Sequence, residues 1–125
     1  MTLDVLPGRL AVCRLDAGST VPAWALDAPP PLSITRTTHE LSVMCLEEVV
    51  PEDVKVRRGF RALSVRGPLD FTLPGVIAGL SSPLADAGIS ILAVATYDTD
   101  LMLVDEAELD RAVGCLRDAG HEVVA

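Results

Sequence analysis

Two stretches of the chain end in the same way. "LADAGISI" over residues 84–91 and "LRDAGHEVV" over residues 116–124 each pass from an apolar helical stripe, through Ala-Gly, into strand-forming residues. A glycine just past the last helical turn is a stop signal, because it takes the left-handed backbone without steric cost. Ahead of the first ending, "FRALSV" (60–65) has strand composition and "RGPLD" reads as a turn. Leu73, Ile77, Leu80 and Leu84, with Val76 and Ala87 beside them, share one helical face. "ISILAVAT" (89–96) has the composition of a central strand, "YDTD" of a turn, and "LMLV" (101–104) of a second strand, antiparallel to the first by its short connection. Asp105 and Glu108 have the spacing of a capping box, and Leu109, Ala112, Val113 and Leu116 form a second stripe. The order strand, helix, strand, strand, helix, strand predicts a ferredoxin-like α+β sheet of four antiparallel strands with both helices on one face. Leu80, Leu84, Leu109, Val113 and Leu116 are expected to bury against Ile91 and Val94. Pro83 predicts a kink or a restart at "SSP".

The first half follows a different pattern. "LDVLPGRLAVCRL" reads as two short strands around a Pro-Gly turn, "VPAWAL" as a helical turn or two, and "DAPPP" as a loop. "LSITRT" and "ELSVMC" read as a hairpin turning near Thr38 and His39, and the charged "PEDVKVRRG" as the join between the halves. Residues 1–57 are too few for two full helices, so a shortened ββαββ unit is expected there, followed by the complete unit at 58–125. A domain of about 58 residues is marginal alone.

Composition narrows the function. Half the residues are hydrophobic but only 3% are aromatic, so the cores must be built from Leu, Val, Ile and Ala. The formal net charge is −8. This argues against nucleic acid, which wants a basic face or stacking platforms, and against an anionic membrane surface. No segment has the length of a membrane span, and "MTLDVLPGRLAV" does not read as a signal peptide, so a cytoplasmic location is expected. Cys13, Cys45 and Cys115 are odd in number and far apart, which fits free core thiols in a reducing compartment. With His39 and His121 they show no metal-ligand spacing, and no cofactor is implied.

The stretch "LDFTLPGVI" (69–77) carries the functional signal. Its Pro74-Gly75 stands at the mouth of the expected helix, four residues after Asp70. The first turn of a helix has unpaired N–H groups and the positive end of the dipole. Glycine there clears the approach, and the N–H groups of Gly75 and Val76 can receive a carboxylate. Asp70 can hold a cation beside it. Carboxylate and ammonium side by side are the head of a free amino acid. The plainer reading is that Pro74-Gly75 only shapes a turn.

The pattern formed by Asp70, Pro74, Gly75, Ile77, Leu80, Leu84, Ala85, Asp86, Ala87, Gly88, Ile89, Ser90 and Ile91 resembles the signature of the ACT domain, the small-molecule-binding module of aspartate kinases and other amino-acid enzymes. The phrases "AVCRL", "PAWAL", "SITRT", "ELSV", "GPLDF" and "ATYDTD" extend the resemblance over nearly the whole chain. They are similar to a bacterial family of stand-alone tandem ACT proteins, related to the ACT pairs of eukaryotic cytosolic arginine sensors. The resemblance implies a degenerate ACT unit at the N-terminus and an amino acid held between ACT units. One wall would be the Asp70–Val76 loop with the strand from Ser90 to Thr96. The other would be a partner strand, matched here by Ser42 and Val43 in "ELSV". It brings no catalytic residues. It also implies a regulatory role, acting on a partner enzyme or through self-association, with a homodimer expected.

Two other classes stand beside this reading. A structural or assembly protein would keep the fold without a ligand. A small enzyme would use Asp70, Tyr97, Asp98 and Asp100 as an acid–base cluster, but no nucleophile motif, phosphate loop or metal spacing accompanies them. Asp98 and Asp100 would otherwise favour a cationic ligand side chain. Arg36 and Arg61 lie in apolar strand stretches and are expected to pair with acids. His39 reads as a surface residue, His121 as a partner for a helix end, and Trp24 as a plug in the N-terminal core.

Overall fold

A computed structural model describes residues 1–70 and 74–125. Leu73, placed above at the start of the first helical stripe, lies outside the described residues. The chain divides into two units: Met1–Pro7 together with Arg61–Ala125, and Gly8–Phe60. The opening residues therefore belong with the C-terminal half, at variance with the expected division after residue 57.

The C-terminal unit starts with β1 (Thr2–Val5), which runs beside the second part of β5 (Lys55–Val65). Helix α2 (Val76–Asp86) leads to β6 (Leu92–Ala95) and β7 (Asp100–Asp105), and α3 (Leu109–Asp118) leads to β8 (Glu122–Val124). The expected βαββαβ order is present. Its sheet has five strands, not four, in the order β6–β7–β5–β1–β8. β1 is inserted between the first and last strands of the motif. It pairs antiparallel with β5 (Leu3 opposite Val65, Val5 opposite Leu63) and parallel with β8 (Leu3 opposite Val123). The two short strands expected around Pro7-Gly8 are present as β1 and β2 (Leu10–Leu15), and each pairs antiparallel with β5. The pattern holds β1 in place: Leu3 fills a place among Leu63, Val65, Leu80, Leu84, Met102, Val104, Ala112, Leu116 and Val123. Asp4 is held at the surface by Arg66, whose Nε and Nη2 donate to its carboxylate at 2.8 and 2.7 Å.

Both helices contribute to that single core and contact each other, so they cover the same face. Leu109, Val113 and Ile91 are half-buried at its margin. The twin Ala-Gly endings are matching caps. Gly88 and Gly120 have φ of 74° and 96°, with Ile89 N–H donating to the Leu84 carbonyl and His121 N–H to the Leu116 carbonyl. Helix α2 continues through Pro83 without the expected restart. Proline supplies no N–H to the Gly79 carbonyl one turn back. The His121 ring lies there instead, with Nε2 3.0 Å from that oxygen. Asp105 caps the turn before α3 by accepting from Ala107 N–H, but Glu108 turns to Arg111, so the capping box is only half formed. β6 is shorter than the expected 89–96 strand and, among the described residues, is an edge strand paired with β7, not a central one.

In the N-terminal unit the strands follow the order β3–β4–β2–β5, from β2 (Leu10–Leu15), β3 (Ser33–Arg36), β4 (Leu41–Leu46) and the first part of β5. The hairpin β3–β4 forms as expected, closed by Thr37, whose hydroxyl accepts from His39 and Glu40 N–H. The one short helix, α1 (Ala23–Leu26), brings Trp24 against a core of Ala11, Cys13, Ala25, Val43, Cys45 and Val50. Lys55–Gly59, expected as a join, is strand. Among the described residues Arg36 pairs with backbone carbonyls, not with the expected acid. Its guanidinium donates to the Ala17 and Ser19 carbonyls. Arg61 likewise donates to the Leu6 carbonyl at 3.2 Å.

Candidate functional site

The site begins where β5 ends. Thr99 Oγ1 donates to the Val65 carbonyl at 2.6 Å, and Leu69 N–H donates to the Asp98 carbonyl at 2.7 Å. These two bonds lay the 96–99 turn against the segment leading to Asp70. Gly67 is needed for the fit: a Cβ there would stand 2.8 Å from the Asp98 oxygen and 3.1 Å from Thr99 Cβ. The turn is closed internally by Thr96, whose hydroxyl donates to the Thr99 carbonyl and accepts from Thr99 N–H. The Thr96 side chain is therefore a structural group, and its exposed edge is what a ligand could meet.

Asp70 is exposed. After residues 71–73, Pro74 and Gly75 form a turn, and Gly75 is the N-cap of α2 with φ of 80°. Gly75 has no side chain with which to cap this helix, and the first turn carries no acid. The first intrahelical bond runs from Gly79 N–H to the Gly75 carbonyl at 2.9 Å. The N–H groups of Val76, Ile77 and Ala78 precede it and have no acceptor within the helix. A Cβ on Gly75 would meet nothing within 4 Å among the described residues. Here the backbone, not crowding, requires glycine. Ser90 is exposed in the link between α2 and β6.

Ser42 and Val43 belong to the N-terminal unit. Val43 is 0% exposed and sits in that unit's core. Both residues pair on each side, with β2 and with β3. Ser42 points to the opposite face and lines a 370 Å³ groove with Arg14, Lys55 and Arg57. Of the acid–base candidates, Tyr97 is 90% exposed, Asp98 is exposed and Asp100 half-buried. Among the described residues no group of His, Cys, Asp or Glu could hold a metal ion. No described helix is long and apolar enough to cross a membrane. Burial pushes the Cys45 thiol up to about 11 and raises that of Cys13. All three cysteines are free.

The comparisons with known proteins agree with this fold. A sequence profile of the ACT domain matches residues 55–118, and a second profile, for an N-terminal domain, matches residues 8–53. The chain belongs to the ACT-domain family. An Agobacterium tumefaciens protein of known crystal structure is 38% identical to it, with 98% of this chain and 91% of that one covered and a TM-score of 0.93. The regulatory subunit of aspartate kinase from Thermus thermophilus superposes with a TM-score of 0.61 at 13% identity, covering 94% of each chain. Clostridium acetobutylicum aspartate kinase gives 0.64 at 10% identity, covering 94% of this chain and 34% of its own. The aspartate kinase likenesses show a shared fold. No protein of curated function matches the sequence. In ACT terms, α2 is the first helix of the domain, and β1 is an extra strand lodged in its sheet.

Among groups that sequence reasoning passed over, Arg117 and Gly114 share a cavity with Arg61. Their spacing on α3 is a sequence signal. The cavity they line is not, because it also takes Val5 and Pro7 from the other end of the chain.

Proposed function

We propose that the protein is a non-catalytic regulatory module that binds a free amino acid at the mouth of α2. The ligand carboxylate is received by the N–H groups of Gly75 and Val76, with Pro74 setting the entry of the chain. Asp70 holds the α-ammonium, and the exposed edge from Ser90 to Thr96 flanks the ligand. Asp98 and Asp100 favour a cationic ligand side chain. The observation that carries the reading is the left-handed Gly75 at the start of α2, an eleven-residue helix whose described first turn holds no acid, next to a segment bearing Asp70. Ser42 remains a proposed member of a facing wall. Val43 enters the proposal only by its place beside Ser42, since its own side chain is occupied in a core. Free thiols fit a reducing, cytoplasmic setting, where a partner enzyme would read the ligand state.

A thermal-shift screen of the twenty amino acids tests this. A ligand at about 100 times its Kd adds ~2.7 kcal/mol. For a chain of this size, that is a rise of roughly 10 °C. Asp70→Ala should abolish the shift. No shift with any amino acid at millimolar concentration refutes the reading.

A second reading, assembly, has its own observation. β6 is an apolar edge with Leu92 37% exposed and Ala93 and Ala95 also exposed, and edges of this kind pair with other chains. A homodimer through β6 would show as a concentration-dependent mass in sedimentation. A constant monomer mass removes it.

A further inference from the structure

In the N-terminal unit, Cys13 of β2, Val43 of β4 and Val56 of β5 turn into the core. Side chains alternate along a strand, so Val12, Arg14, Ser42, Lys55 and Arg57 turn to the other face. There Arg14 stands opposite Ser42 on one side and Lys55 on the other, and Val12 stands opposite Arg57. Together with Glu40 these residues line a groove of about 370 Å³, within the size range of small-molecule sites. Every lining residue belongs to this unit, and none is a chain end.

The charges of the groove do not close on one another. Arg36 and Arg58, outside it, are spent on backbone carbonyls. Arg14 gives Nη2 to the His39 carbonyl at 3.0 Å and stands 4.0 Å from Asp16, whose side chain is 96% exposed, so water screens that pair. Among the described residues, the side chains of Lys55, Arg57 and Glu40 have no hydrogen bond or ion pair. Three cations and one carboxylate thus face a common space without pairing across it. Their complement is a ligand with two negative charges and one positive charge. The cations are spread out: Lys55 and Arg57 lie about 6.8 Å apart along β5, and Arg14 lies one strand away, about 4.8 Å from Lys55. That spread suits two separate carboxylates better than one compact phosphate. Glu40 comes two residues before Ser42, at the end of the groove away from Arg57.

We propose that this groove binds a small amino dicarboxylate. The two carboxylates sit on Arg14, Lys55 and Arg57, and the ammonium sits on Glu40, with Ser42 and Val12 beneath. The site shares Ser42 with the facing wall proposed above but does not rest on the reading of the α2 mouth.

The test is a titration of the full ¹⁵N-labelled chain with L-glutamate at constant ionic strength, followed by amide NMR. Saturable shifts at Val12, Arg14 and Val56 are expected, with a Kd of about 1 mM, as suits a ligand of this size. Glutarate lacks the ammonium and γ-aminobutyrate lacks one carboxylate, so each should bind at least about threefold more weakly. The double variant Lys55→Gln, Arg57→Gln changes two exposed side chains, so it should fold normally and bind glutamate at least about tenfold more weakly. Glu40→Gln should weaken glutamate and not glutarate. Asp70→Ala should keep the shifts, which separates this site from the α2 mouth. Absence of saturable shifts at these amides up to about 10 mM glutamate, binding of glutarate, γ-aminobutyrate or inorganic phosphate as tight as that of glutamate, or undiminished binding by the folded double variant would each overturn the proposal.

Discussion

Leu3→Ala tests whether the opening strand is a structural member of the C-terminal ACT domain. Leu3 is fully buried, and β1 is hydrogen-bonded on both sides, to β5 and to β8. The strand cannot easily relax into the space left by a truncation. Removing the equivalent of three methylenes costs about 2.4 kcal/mol in transfer, and an unrelaxed cavity brings a buried Leu→Ala change to roughly 3–4 kcal/mol. With an unfolding entropy of about 2.1 cal/mol/K per residue, a chain of this length unfolding in one transition should lose about 13 °C in melting temperature. Leu26→Ala serves as the control: Leu26 is 61% exposed, and surface changes stay within about 0.5 kcal/mol. The assay is urea unfolding followed by circular dichroism, with ΔΔG taken from midpoints at constant m. A loss below about 1 kcal/mol for Leu3→Ala would mean that β1 is peripheral, and the five-stranded sheet would be wrong.

Three further outcomes follow from the same structure. His121→Ala should cost about 0.5–1.5 kcal/mol, and a double-mutant cycle with Pro83→Ala should show that cost shrinking, because alanine returns an N–H to the Gly79 carbonyl; additive effects would refute the repair. Gly67→Ala should destabilise by about 1–3 kcal/mol by pushing the 96–99 turn off the segment before Asp70, and an unchanged urea midpoint would contradict that packing. The folded chain keeps the Cys45 proton to about pH 11, whereas the unfolded thiol releases it near 9.0. Stability linked to Cys45 is therefore complete below pH 9 and falls as the pH rises towards 11; in native alkylation at pH 8, half-buried Cys115 should react before Cys13 and Cys45, and the reverse order would contradict the burial.

What could be read in the sequence was local. The Ala-Gly endings and the β3–β4 hairpin depend on residues close together in the chain and are found, as are the helical stripes at Leu80, Leu84, Ala112 and Leu116, although Ile77 of the first stripe is exposed. The position of β1 depends on pairing Leu3 with Val65 and Val123, and no periodicity reports a partner sixty or more residues away. For the same reason β6 read as a central strand: an apolar run shows burial potential but not which neighbours exist. The continuity of α2 through Pro83 was hidden because His121, thirty-eight residues on, faces the carbonyl that proline leaves without its usual donor. At the candidate site, Gly75 and Asp70 were legible because glycine and acid at a helix mouth are sequence signals. The docking of the 96–99 turn on Gly67 was not, since it rests on a close backbone approach. Arg61 was noticed as a charge in an apolar strand. Its bond to the Leu6 carbonyl, in place of the expected acid, appears only in the fold.

The central claim is that the open start of α2 receives an amino-acid carboxylate. The most direct measurement is the amide proton shift of Val76 and Ile77 while an amino acid selected by melting-point screening is titrated into the full chain. A carboxylate on those N–H groups should move both resonances strongly downfield and saturably, in step with calorimetric binding. Asp70→Ala should weaken that binding by about tenfold or more, the loss expected for a charge-assisted hydrogen bond. Binding that leaves Val76 and Ile77 unmoved, or that Asp70→Ala does not weaken, would contradict the account.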